Sequence, residues 1–430
     1  MGVVSTVRRY AVRLLVASIA AAAFALALTW RPSIAEISTP LPSSFQQAQV
    51  AKGAVLAKLG DCAVCHTASG GRSLAGARPL KTPFGTLYSN NITPDPQSGI
   101  GRWSREAFRR AMKDGVSRDG AHLYPALPYE HFTHVTDSDL DALYAFLMTR
   151  RAVRQDAPPN ELIFPLGFRP LLAGWKLLFL HKGPAAADPK RSADWNRGAY
   201  LVEGLGHCGG CHTPRNLAGG ERRARAFSGG VAEGWRAPAL DATNPTARRW
   251  TQAALETYLA EGISLDHSAA GGPMGPVVES LSQVPPSDVR AIATYVAFLM
   301  NASAARPDRT PVDEPRRAER AFQEGAVLFA GACAGCHTTG APMLTQGRPQ
   351  LGLATNLRDD APTSAIQAVL SGIEPPLGRR GPLMPPFSAA LTDRQMAEIL
   401  AYARARFTDR PAWPRLQRQV AAARKERSEP

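Results

Sequence analysis

The tightest constraint on this chain is a five-residue pattern, Cys-x-x-Cys-His, that occurs three times: Cys62-Ala-Val-Cys65-His66, Cys208-Gly-Gly-Cys211-His212 and Cys333-Ala-Gly-Cys336-His337. Two thiols three positions apart on one helical turn can add to the two vinyl groups of a haem, and the adjacent His then reaches the iron from the proximal side. The three copies consume all six cysteines. A zinc site needs four ligands per metal, and neither a second Cys-x-x-Cys beside each copy nor a nearby His-x-x-x-His supplies the other half. A thioredoxin-like pair needs a βαβ context and no trailing His. The pattern therefore predicts three covalent c-type haems, attached at Cys62/Cys65, Cys208/Cys211 and Cys333/Cys336, with His66, His212 and His337 on the proximal side.

Each copy sits in a repeated unit. A Gly lies eight to ten positions upstream of the first Cys: Gly53, Gly198 and Gly325. Each unit closes with an amphipathic helix begun by a capping residue, over 137–148, 287–300 and 392–407, with Tyr144, Tyr295 and Tyr402 at matching places. A Gly on the first helix and an aromatic on the last would let the two cross closely. Trp103-Ser and Trp250-Thr each start a helix that ends twelve residues later, at Gly115 and Gly262, and Gly372 ends the corresponding helix of unit three. Twelve residues beyond these glycines stand Leu127, Met274 and Met384. Both methionines lie among Pro and Gly, in loops able to press a thioether onto the open face of a haem. A Met is usually core filler, but the shared offset predicts Met274 and Met384 as distal iron ligands, the pairing with His that raises a haem's potential.

Unit one departs from this rule, because Leu127 cannot donate to iron. Three outcomes follow: a five-coordinate iron, a His from the same loop (His122, His131 or His134), or Met112 reaching in from the helix. His131, in Tyr-Glu-His-Phe, is the first choice, against its reading as a polar loop histidine. A bis-His first iron would have a lower potential than its neighbours, giving a ladder across the three haems.

With 430 residues the chain has room for two to four domains. The expected plan is a signal peptide or membrane anchor over 1–35, domains over 46–151, 193–301 and 319–408, an apolar linker over 152–192, a spacer over 302–318, and a basic tail over 409–430. Arg8, Arg9 and Arg13 precede a seventeen-residue apolar run from Leu14 to Trp30, the pattern of an export signal or uncleaved anchor. The linker's Phe164–Leu180 stretch is too short and interrupted to span a bilayer and reads as a strap packed between units one and two, or as an apolar patch for a partner or the lipid interface. Formal net charge is +14, much of it crowded near the C-terminus. That end reads as a solvated, partly disordered tail, with an acidic redox partner or anionic lipid as the sharper alternative. Gly204-Leu-Gly-His-Cys-Gly209 fits the dinucleotide fingerprint only by overlapping a haem motif, and no βαβ unit surrounds it.

With these residues in hand, the chain resembles the three-haem cytochrome c subunits of membrane-associated bacterial periplasmic dehydrogenases that act on alcohols, aldehydes or gluconate. The resemblance runs from about residue 46 onward and is most specific in Pro83–Pro96, Gly99–Ser104 and Gly206–Asn216. The Trp30-Arg-Pro and Pro170-Leu-Leu-Ala-Gly-Trp-Lys stretches are closer to the cytochromes that accompany molybdenum hydroxylases of aldehydes or N-heterocycles. The family implies the haem attachments and proximal ligands above, with Met274 and Met384 distal; its alcohol-dehydrogenase pattern has Met where Leu127 stands. It also implies an all-α fold of three class I cytochrome c domains in tandem behind an N-terminal signal or anchor helix, on the periplasmic face of the bacterial inner membrane. Haem is attached outside the cytoplasm, so nucleic acid is excluded as a partner. The implied work is carrying electrons from a dehydrogenase large subunit (flavin, PQQ or molybdenum type) to ubiquinone or a downstream cytochrome. The rivals are a peroxidase-like haem enzyme using an open first iron, and a cytochrome subunit of a terminal oxidase.

Overall fold

The computed structural model describes residues 2–184, 186–246, 248–301, 308–338, 340–341, 350–375 and 383–428; part of the expected spacer, 302–307, and the last two tail residues lie outside the described residues. The chain divides into two compact units, residues 1–54 with 65–184, and residues 55–64 with 185–430. The first expected domain falls largely in unit one, and the second and third fall in unit two.

The chain opens with helices α1 (Gly2–Thr29), α2 (Gln47–Leu59) and α3 (Cys62–Cys65). The side chains of Leu14, Ile19 and Phe24 on α1 are exposed. Among the described residues no helix is long and apolar enough to cross a membrane. Strands β1 (Pro79–Thr82) and β2 (Gly85–Tyr88) form an antiparallel hairpin. Helix α4 (Arg105–Asp114) starts where the Ser104 hydroxyl accepts from Ala107 N, at 3.1 Å, and stops at Gly115, which takes φ 58°. The one-turn α5 (Tyr129–Phe132) and α6 (Asp137–Met148) follow.

The apolar linker is structured. Its β3 (Glu161–Leu162) pairs antiparallel with β2, and its α7 (Leu171–Phe179) packs inward through Trp175, whose ring meets Tyr129 edge-on at 6.0 Å, and through the buried Lys176. Its other side chains point the opposite way: Leu177 is 87% and Phe164 96% exposed. The strap is thus amphipathic in the inverted sense, with a lysine inside and leucines outside.

Unit two begins with α8 (Ala193–Tyr200), a π turn over Leu201–Leu205 and α9 (Gly209–His212). A second antiparallel hairpin follows, β4 (Gly230–Ala232) and β5 (Trp235–Ala237), then α10 (Gln252–Glu261), α11 (Met274–Leu281) and α12 (Pro286–Asn301). The third repeat supplies α13 (Pro315–Ala321), α14 (Gln323–Ala332), α15 (Ala334–His337), α16 (Thr355–Arg358), α17 (Thr363–Ser371), α18 (Asp393–Phe407) and α19 (Leu416–Ser428).

The repeat rests on three glycine-dependent helix crossings. A β-carbon on Gly53 of α2 would lie 1.9 Å from the Ala142 carbonyl of α6. On Gly198 of α8 it would lie 2.0 Å from Ala291 O of α12, and on Gly325 of α14 it would lie 2.3 Å from Glu398 O of α18. No side chain fits at these positions, so hydrogen is the only substituent the backbone approach allows. The aromatic at the crossing is Tyr295 in the second repeat and Tyr402 in the third, as expected, but in the first it is Phe146, not Tyr144. Tyr144 sits half a turn away and donates its hydroxyl to Trp103 O at 2.7 Å.

Two expectations need correction. The fold is mainly helical but not purely so, since the described residues hold a three-stranded and a two-stranded sheet. The second hairpin turns at Glu233 and Gly234, both with positive φ (46° and 74°), the two-residue loop whose twist suits adjacent antiparallel strands. The basic tail is not a solvated, disordered segment over its described length. Trp413, Leu416 and Val420 are buried, and Arg404 stacks on Trp413 at 3.9 Å while donating to Leu357 O and Asp359 O, each at 2.7 Å. Arg424 pairs with Asp393 at 2.7 Å. Leu416 and Val420 recur at helical spacing inside the charge run, so one face of α19 is apolar.

Candidate haem sites

In each repeat the cysteine pair and the histidine share one helical turn. His212 N bonds Cys208 O at 3.0 Å, His337 N bonds Cys333 O at 3.0 Å, and α3 runs from Cys62 to Cys65 with His66 next. None of the six cysteines is in a disulfide. Burial, with the neighbouring thiol second, pushes Cys208 up to about 12 and Cys333 up to about 11. Thiols so raised are the opposite of the low-pKa thiolates of a dithiol redox centre.

The imidazoles carry the strongest geometric signal. His66 Nδ1 lies 2.6 Å from Asn90 O, and His212 Nδ1 lies 2.7 Å from Pro238 O. A carbonyl only accepts, so Nδ1 holds the proton and Nε2 keeps its lone pair in the neutral ring. Burial lowers the pKa of both, against the hydrogen bond that raises it. A neutral imidazole oriented by its other nitrogen is what an iron-ligating His requires. His337 ends α15 at the equivalent place and is half-buried.

Met274, expected in a loop, instead opens helix α11 and is half-buried. Met384 is half-buried and pairs with Ile373 through reciprocal backbone bonds of 2.8 and 3.2 Å. Leu127 is half-buried in the loop before α5, Met112 is buried on α4, and His131 is buried within α5. The three loop histidines are not equivalent. His122 is held at both nitrogens, Nε2 to Thr29 O at 2.8 Å and Nδ1 to Lys176 Nζ at 3.0 Å, and has none to offer a metal. His134 Nδ1 is anchored on Gly183 O at 2.6 Å. Sequence reasoning missed Lys176, which lay in a stretch read for its apolarity, and the two anchoring carbonyls, for which no side-chain signal exists.

Helical repeats that present a cysteine pair and a carbonyl-anchored neutral imidazole on one turn define a cytochrome c. The residues fit a covalent c-type haem: the thiols would attach it and the imidazoles would hold the iron, while the group itself, when bound, supplies one-electron chemistry.

Residues 50–151 match the cytochrome c family model, and residues 320–402 match that of cytochrome c oxidase, cbb3-type, subunit III. The chain is 48% identical to a nicotinate dehydrogenase subunit of Pseudomonas putida over 93% of its own length, and spans only about a third (34%) of that relative. It is 38% identical to the gluconate 2-dehydrogenase cytochrome c subunit of Pantoea cypripedii, covering 83% of the chain and 85% of the relative. With the fructose dehydrogenase cytochrome subunit of Gluconobacter japonicus it shares 34% identity, over 87% of the chain and 82% of the relative. The chain belongs to the electron-transferring cytochrome c subunits of dehydrogenases.

Proposed function

We propose that this chain carries electrons through three covalent haems, from the catalytic subunit of a partner dehydrogenase to ubiquinone or a downstream cytochrome, at the periplasmic face of the bacterial inner membrane. The observation that carries this reading is the repetition of one site. Cys62/Cys65 with His66, Cys208/Cys211 with His212, and Cys333/Cys336 with His337 each occupy one turn, and two of the three imidazoles are anchored on a carbonyl. Met274 and Met384 are the distal ligands of the second and third irons. On the first, His131 takes the place that Leu127 cannot fill. The similarity to a nicotinate dehydrogenase subunit favours a partner of the molybdenum-hydroxylase kind, acting on an N-heterocycle or aldehyde, over a flavin or PQQ partner.

Attachment to the membrane is peripheral in this reading. The exposed apolar side chains of α1 (Leu14, Ile19, Phe24) and of the strap (Phe164, Leu177, Leu178) lie in the same unit, and Lys182, Lys190 and Arg191 follow the strap in the chain. Apolar side chains backed by cations suit an anionic bilayer surface. Affinity capture of the chain from membranes, with identification of the co-purifying large subunit and a pyridine-haemochrome count of haem per chain, tests the proposal. Three haems with a dehydrogenase large subunit are expected. A haem-copper oxidase in its place, or fewer than three haems, overturns it.

A further inference from the structure

The two methionine segments of unit two meet each other. A β-carbon placed on Gly271 would lie 3.7 Å from Ile373 Cγ1 of the third repeat, and Ile373 is the residue paired on both sides with Met384. Gly271 stands one turn before Met274, whose N–H bonds Gly271 O at 3.3 Å. The indole of Trp235 packs against the Met274 side of this junction, at Gly271 and Gly272. A β-carbon on Gly271 would lie 3.3 Å from it, and one on Gly272, where φ is 54°, only 2.3 Å. Any side chain at Gly272 would therefore displace the ring.

The hairpin that carries Trp235 is fixed to the third repeat by the residue that follows it. Arg236 N donates to Ser364 Oγ at 3.0 Å, and Ser364 Oγ donates back to Arg236 O at 3.0 Å. The Arg236 guanidinium pairs with Asp359 at 2.8 Å, a carboxylate whose side chain is only 11% exposed. A paired, hydrogen-bonded charge of this kind holds one geometry. The hairpin that presses Trp235 onto the Met274 segment is thus clamped to the third repeat.

We infer that Trp235 couples the second and third haem sites, as a positioning residue that holds the Met274 segment against Ile373 of the third repeat. Electron tunnelling falls steeply with separation, so segments held in close approach give a faster path. The step moves one electron: one iron goes from ferrous to ferric, the other from ferric to ferrous, and no bond or proton changes partner. Trp235 is neither oxidised nor reduced. The inference rests on Met274 and Met384 as distal ligands.

The test uses the full-length holoprotein, wild type and the variants Trp235→Ala and Trp235→Phe. Flash photoreduction gives the rate of electron re-equilibration between haems. The sulfur-to-iron charge-transfer band and redox titration report ligation and potentials. In W235A the rate should fall by roughly an order of magnitude with both bands and the potentials unchanged. W235F, which keeps a packed ring and serves if the alanine variant unfolds, should show a smaller fall in the same direction. An unchanged rate in both variants, or a slowing seen only with lost bands or shifted potentials, overturns the inference while leaving the ligand assignment standing. Absence of both bands in the wild type overturns the ligand assignment and this inference with it.

Discussion

Nζ of Lys176 lies 3.0 Å from Nδ1 of His122, in the interior of unit one. The same Nζ donates to Gly115 O, the left-handed cap of α4, and sits 5.0 Å over the ring of Tyr129. His122 in turn donates from Nε2 to Thr29 O, and its own carbonyl accepts from Arg169. One strap side chain thus ties together the end of α4, the loop that holds Leu127, and the end of α1.

This lysine sets a pH dependence. Burial, only partly offset by Asp114 and reinforced by Lys182 and Arg31, draws it from an ordinary value of 10.5 down to about 7. Between those values the unfolded chain binds a proton that the folded chain does not, so folding stability rises with pH across the window and is lost again as pH falls toward 7. Below about 7 the full cost of the buried charge is present. Thermal unfolding of the wild type should show this rise, and Lys176→Met should flatten it. An identical slope in both proteins would show that another group titrates.

Under the proposed function, Leu127 makes the first iron the exception. Leu127→Met should raise the lowest of the three midpoint potentials and suppress any CO binding to the reduced protein. Met274→Ala and Met384→Ala should each abolish one sulfur-to-iron band and lower one potential, since the Met/His pair is the high-potential arrangement. Three indistinguishable high potentials in the wild type would remove the ladder.

The helix crossings respond to a single methyl group. Gly198→Ala and Gly325→Ala each drive a β-carbon into a backbone carbonyl, at 2.0 and 2.3 Å, where no side chain can yield. Each should lower stability by about 1–3 kcal/mol or more, the range for overpacking. Gly331, on the exposed side of α14, has open space around it. There the same change should stabilise by up to about 1 kcal/mol, the Gly-to-Ala difference in a helix interior. Denaturant unfolding of the three variants provides the comparison.

The C-terminal helix is part of the third repeat's core. Val420 is fully buried between α19 and the body of the domain. Val420→Asp places a carboxylate without solvent there and should cost several kcal/mol. Arg418→Ala, on the exposed face of the same helix, should stay within about 0.5 kcal/mol of the wild type. Equal melting temperatures for V420D and R418A would mean that α19 detaches in solution.

Much of the site was readable because the chemistry is local. Cys62 to His66 needs five consecutive residues, and a helical turn brings them together without help from the rest of the fold. The glycine and methionine offsets were legible for a related reason: a repeated unit writes its geometry three times, so Met274 and Met384 support each other's spacing. Tyr144 misled because the aromatic was chosen by its count along the helix, whereas Phe146, half a turn further on, is the residue on the face of α6 that meets Gly53. The tail misled because net charge averages over a helix, whereas packing depends on the one face that carries Trp413, Leu416 and Val420.

The amino-acid order by itself determined the three Cys-x-x-Cys-His turns and the helices that frame them. These are contacts within a turn or a fixed count along one chain, and they cost little chain entropy to specify. Tertiary structure alone decided which carbonyls orient His66 and His212, that Lys176 closes on His122, and that Trp235 packs onto Gly271 and Gly272 ahead of Met274. Those partners are separated by 24 to 54 residues or more in the chain, so only the packed fold, by excluding water and fixing backbone approach, can select them.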